Sequence, residues 1–193
     1  MDALPPDIEQ VIVAARDVYL EQFRSEIADL RGKAFILEPV LLGPDGTPAV
    51  EAQGLLPLPN RLDYLDLTAN AGGMVASKGV VRFEPFSFPY GNTEVTLSPF
   101  IWDSIFVTVG DAWSQAYATA LSDWYGVAFG KDEGDDNTAM QNAVHFISEP
   151  IVDPTGFTIN IDFGTAPASA VADLLEALES RGAPQVSLAT PLE

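Results

Sequence analysis

Apolar residues recur at helical spacing through the first stretch of the chain. Ile8, Val11, Ile12, Ala15, Val18, Tyr19, Phe23, Ile27 and Leu30 advance by steps of one, three or four. Such steps return to one face of a 3.6-residue helix, so the pattern predicts an amphipathic helix over about residues 6–31. Pro5 and Pro6 stand where a helix can begin, because the first turn has no intrahelical acceptor for the N–H that proline lacks. Gly32 follows as a stop. A second helix is expected over 111–125, with Asp111 placed to cap it. There Trp113, Tyr117, Ala120 and Trp124 share one side, the arrangement a core-facing helix needs. A third helix, over about 167–181, follows Pro167, buries Val171, Leu174, Leu175 and Leu178, and stops at Gly182.

Between these helices the period changes to two. Residues 33–42 and 48–58 form a hairpin candidate around the turn Gly43-Pro-Asp-Gly46, while 60–74 has no clear period. Strands are expected at 79–88, 93–97, 100–109 and 143–147. Residues 157–163 alternate, with Phe157, Ile159, Ile161 and Phe163 on one face and Thr158, Asn160 and Asp162 on the other. A short last strand covers 185–189. Strands in a run, flanked by helices, predict one α+β domain over 1–193, with a mostly antiparallel sheet and a C-terminal strand–helix–strand unit. If the two strands of that unit share a sheet, their crossover should be right-handed.

Composition narrows the function classes. The chain has 193 residues, enough to bury roughly 70% of the surface its unfolded form exposes without a disulfide or metal. Its 28 acidic and 9 basic residues leave a formal charge of −19, yet charged residues are only 19% of the chain. The imbalance comes from missing lysine and arginine as much as from added carboxylates. A field of this sign repels nucleic-acid phosphates and anionic headgroups and attracts basic proteins and cations. With no cysteine there is no disulfide, thiolate metal site or cysteine nucleophile. The N-terminal residues carry no signal-peptide pattern and no apolar run is long enough to span a membrane, so a cytoplasmic location is expected.

Several clusters could carry chemistry. Phe86, Phe88, Tyr90 and Trp102 fall on a segment that two prolines make irregular, a possible contact surface for an apolar ligand, a partner or a second copy of the chain. The loop containing Asp132, Glu133, Asp135 and Asp136 is a charge patch for a basic partner, and its spacing is not that of an EF-hand. Glu38, Glu84 and Glu149 each precede a proline at the end of an apolar run and would form a hard-cation site if their strands converged. Twelve glutamates and fifteen prolines in 193 positions make about one such pair expected by chance, and proline favours an extended predecessor in any case. His145 is the single histidine, so any catalytic triad would have to use it, and no zinc motif surrounds it. Phosphate loops and the nucleophile elbow are absent.

No motif therefore selects a reaction, and no cofactor is implied. Charge without catalytic motifs favours a non-catalytic binding or accessory protein meeting a basic protein partner, of inhibitor, immunity or adaptor type. The alternatives are a small carboxylate-based hydrolase or isomerase, with or without a divalent metal and drawing on residues such as Asp103 or Asp111, and a self-associating structural subunit joined through residues 83–102.

Overall fold

A computed structural model describes residues 4–30, 35–42, 60–69, 71–128 and 142–191. In chain order the elements are α1 (Pro6–Ile27), β1 (Phe35–Leu42), β2 (Asn60–Asp66), β3 (Ala71–Gly73), β4 (Phe86–Tyr90), β5 (Thr93–Leu97), β6 (Ile105–Val109), α2 (Gln115–Ala128), β7 (Phe146–Ile147), β8 (Ile151–Asp153), β9 (Gly156–Asp162), α3 (Ser169–Glu179) and β10 (Gln185–Ala189). This is an α+β fold, with three α-helices and mostly antiparallel sheet among the described residues. Helix α1 starts with Pro6 in its first turn and buries Ile8, Ile12, Ala15, Tyr19 and Phe23 along one side. It runs out through a 3₁₀ turn at Ala28–Leu30, and the expected stop at Gly32 lies outside the described residues.

Strands β1, β2 and β3 form a small antiparallel sheet. The partner of β1 is β2, while the expected turn at 43–46 and return strand at 48–58 lie outside the described residues. The β1–β2 register shifts between Leu37 and Val40. Pro39 sits in that interval with no N–H to give to a ladder, and Glu38 occupies the irregular stretch.

The remaining strands make a seven-stranded sheet in the order β4-β5-β10-β6-β9-β7, with β8 also on β9. All pairings in it are antiparallel except β5 with β10. β9 and β10 both lie antiparallel to β6, so the strand–helix–strand unit shares one sheet with β6 inserted between its strands. One face of this sheet is core, with Val95, Leu97, Ile105, Val107, Phe157, Ile159, Val186 and Leu188 all buried. Helix α2 lays Tyr117 against Phe157 and Trp124 against Phe163, and Tyr90 reaches the carbonyl of Ala172 on α3. The opposite face carries Ser87, Thr96, Ser187, Thr108 and Thr158, which fall in register across five neighbouring strands.

Three local expectations change. β4 begins at Phe86, so 79–85 is not strand, and residues 101–104 form a turn closed by an Ile101–Ser104 bridge ahead of β6. Asp111 does not cap α2, which starts at Gln115; its carboxylate accepts from the Ala112 amide and the Tyr117 hydroxyl. Asp162 is not on an outward face, because the chain curls inward after Ile161 and buries Ile161, Asp162 and Phe163 in succession.

Candidate functional site

Two features could carry function, and one loop joins them. The first is a polar cluster between α1, the small sheet, the segment leading into β7 and the loop after β9. Glu38, Asp63, His145 and Thr165 have no exposed surface there. The His145 imidazole lies between two carboxylates, with Nε2 2.9 Å from a Glu38 oxygen and Nδ1 3.1 Å from Asp63 Oδ1. Thr165 donates its hydroxyl to Glu38, and the Val75 amide donates to Asp63 Oδ2 at 2.6 Å. Tyr19 brings its hydroxyl 3.4 Å from Nδ1. Burial alone would discharge the imidazole, but the hydrogen bonds to Asp63 and Glu38, with the charges of Asp162 and Asp63, raise its pKa to about 9. Burial, and then the same acidic surroundings, push the Tyr19 phenol far above its ordinary value.

Backbone geometry holds this arrangement. The Gly164 amide donates to Asp162 Oδ1 at 2.7 Å, and the Gly164 carbonyl accepts from the Trp102 indole at 2.8 Å. Gly164 has φ +50°, and a Cβ there would overlap the His145 ring. The loop lies flat on the imidazole only because this residue is glycine. Arg16 on α1 fastens the same loop from outside, donating to the carbonyls of Thr165 and Ala166.

The second feature is a groove of about 770 Å³ between α2 and α3. Its floor is small and apolar: Ala120, Ala166 and Ala170 are buried there with Trp124, whose indole donates to the Ala170 carbonyl at 3.1 Å. Among the described residues its rim carries three carboxylates, Asp123, Asp173 and Glu176, against one cation, Arg181. Partial burial and then the Glu176 charge hold the Asp173 carboxyl above its ordinary range. Val127 is 81% exposed on the α2 side, an apolar wall with no cover among the described residues. Asn142, also on the rim, holds a φ of +54°, a conformation asparagine tolerates better than most residues. Ala166 floors this groove while its neighbour Thr165 binds Glu38, so the loop of residues 162–166 touches both features.

The candidates from sequence fall in different places. Glu38 and His145 come together in the buried cluster, whereas Glu84 and Glu149 are exposed at the surface. Among the described residues no group of three or more acidic or histidine side chains is arranged to hold a metal ion. Tyr90 and Trp102 are core residues, 4% and 1% exposed, and Phe86 and Phe88 are half-buried in an aromatic row with Phe83. Asp132, Glu133, Asp135 and Asp136 lie outside the described residues; the residues flanking that stretch, Ala128 and Asn142, both line the groove. Sequence reasoning missed Asp63, Asp162, Tyr19 and the groove. One signal was present for the groove: the side of α3 away from its leucines reads Ala170, Asp173, Ala177, Ser180, small and acidic residues at helical spacing.

No helix among the described residues is long and apolar enough to cross a membrane. Comparison with protein-family models, curated proteins and solved structures finds no match.

Proposed function

We propose that this chain is a non-catalytic binding protein for a basic protein partner and that the α2–α3 groove is its contact site. The observation that carries the reading is the union, in one concavity, of an apolar floor and a rim with three carboxylates to one arginine. Apolar surface of this kind supplies affinity when covered, and a charged rim supplies orientation and association rate. The formal charge of −19 draws a basic partner from a distance, and the rim places it. The enzymatic alternative has less to support it. Its natural acid–base residue, His145, has both ring nitrogens engaged and no solvent-exposed surface, so a substrate has no route to it short of an opening of the fold.

The test compares wild type with a variant neutralised at the rim, Asp123→Asn with Asp173→Asn and Glu176→Gln. Wild type immobilised at low salt should retain a basic protein from cell extract, release it at high salt, and lose it in the triple variant. Retention indifferent to those three changes, or no retention at low salt, would overturn the reading.

A further inference from the structure

We infer that the occupant of the groove is an amphipathic helix with lysine or arginine flanking its apolar stripe. This rests on the reading of the groove as the partner site and adds the conformation and side-chain pattern of what enters it.

Three observations point to a helix. The α3 wall of the groove is lined by Ala170, Asp173, Glu176, Ala177, Ser180 and Arg181, one continuous side of the helix and its C-terminal turn. Those twelve positions run about 16 Å at 1.5 Å per residue, the length of a three-turn helix. Next, the floor is alanine on either side of the one indole of Trp124. Small side chains let a third helix settle between two others at the usual interaxial distance of about 8–10 Å, and they leave room for the larger apolar residues it would bring. Finally, the long walls are helical. Their backbone N–H and C=O groups are spent within α2 and α3, so an extended peptide would find no ladder to join and would bury its own amides unsatisfied. A helix satisfies its own backbone and needs only side-chain contact. The sheet edges that could pair with a strand belong to β4, β7 and β8 of the large sheet and to β1 and β3 of the small one, none of which lines the groove.

Charge fixes the flanks of that helix. Asp173 and Glu176 sit one turn apart on α3, and partial burial and then the Glu176 charge raise the cost of charging Asp173. A lysine or arginine set between them relieves that repulsion, whereas an acidic segment would add to it. Asp123 faces the same opening from α2, so cations are wanted on both sides of the apolar stripe.

The experiment uses the full chain and two synthetic peptides of identical leucine and lysine content. One spaces its leucines by three and four; the other alternates leucine and lysine and favours a strand. Binding is followed by calorimetry and by NMR shifts of backbone amides. The helical-period peptide should bind about tenfold or more tightly than the alternating one, a difference of about 1.4 kcal/mol. Its shifts should centre on Ala120–Ala128 and Ala170–Arg181. Reversing two rim charges, Asp173→Lys with Glu176→Lys, should weaken it about tenfold, as two exposed charge contacts turned repulsive would. Val127→Ser, at a surface position that folding does not depend on, should weaken it as well. Equal or tighter binding of the alternating peptide, or shifts along β4 or β7–β8, would overturn the helical occupant and leave the basic-partner reading standing. Binding of either peptide that ignores the rim reversal, or no binding of either, would overturn both.

Discussion

His145 and Glu38 are 107 residues apart in sequence, yet their side chains meet at 2.9 Å with no exposed surface on either. This pair ties the small sheet to the segment that enters β7. Three buried carboxylates, Glu38, Asp63 and Asp162, surround one imidazolium, and the excess negative charge is offset by donors: the Thr165 hydroxyl on Glu38, the Val75 amide on Asp63 and the Gly164 amide on Asp162. A buried charge without such partners costs several kcal/mol, so removing one member leaves the others exposed to that cost.

His145→Ala is therefore expected to destabilise the fold by about 3–5 kcal/mol, the cost of leaving Glu38 and Asp63 buried without their cation. Urea unfolding at neutral pH measures it. A loss under about 1 kcal/mol would place the pair among contacts that water can replace, like those of surface ion pairs.

The same cluster predicts a pH dependence with a definite sign. The folded imidazole binds its proton more tightly than the unfolded one, with a pKa raised from the ordinary 6.5 to about 9. Its contribution to stability is fully present below the unfolded value and is lost as pH rises through about 9. The urea midpoint of wild type should fall across that interval, and His145→Gln should flatten this part of the profile. NMR titration of the ring protons gives the direct reading, and a midpoint below 6.5 would contradict the arrangement.

Three glycine-to-alanine changes should rank in order. Gly126 lies within α2 with no heavy atom within 4 Å of an added Cβ, so alanine should stabilise by up to about 1 kcal/mol through helix propensity. Gly182 follows α3 at φ +83° with open space around it, so alanine should cost about 1–2 kcal/mol for the left-handed backbone alone. Gly164 combines positive φ with overlap on the His145 ring and should cost the most. Thermal unfolding of the three variants checks the order, and a Gly164→Ala protein as stable as wild type would mean that the loop does not rest on the imidazole.

Much of the fold was legible because its elements carry local signals. The stripe of α1, the alternation of β9, the stripe of α3 and the span of β10 each appear where the residues alone place them. Where the signal was lost, a long-range contact had replaced it. β2 has no readable alternation because Asp63 and Asp66, on opposite faces of the strand, are both buried, and a buried aspartate makes sense at 63 only once His145 and the Val75 amide are beside it. Asp162 breaks the alternation of β9 for the same reason: its partner is the amide of Gly164, in the turn that follows. The glutamate–proline repeats grouped Glu38 with Glu84 and Glu149, whereas among the described residues its side chain meets His145 and Thr165 and neither of those glutamates. The groove was hidden because α3 shows its leucines first, and alanines at helical spacing carry little weight until α2 stands opposite them.

The position of β10 has a consequence for biosynthesis. This strand is the last of its sheet in chain order, yet it lies in the interior of the sheet, between β5 and β6. Until Ala189 has left the ribosome, the β4–β5 hairpin and the β6–β9 pair have no strand to join them, and each presents an open edge to solvent or to a chaperone. Folding of the seven-stranded sheet must therefore wait for synthesis to pass this point, and a nascent chain stalled after α3 would hold two separate half-sheets.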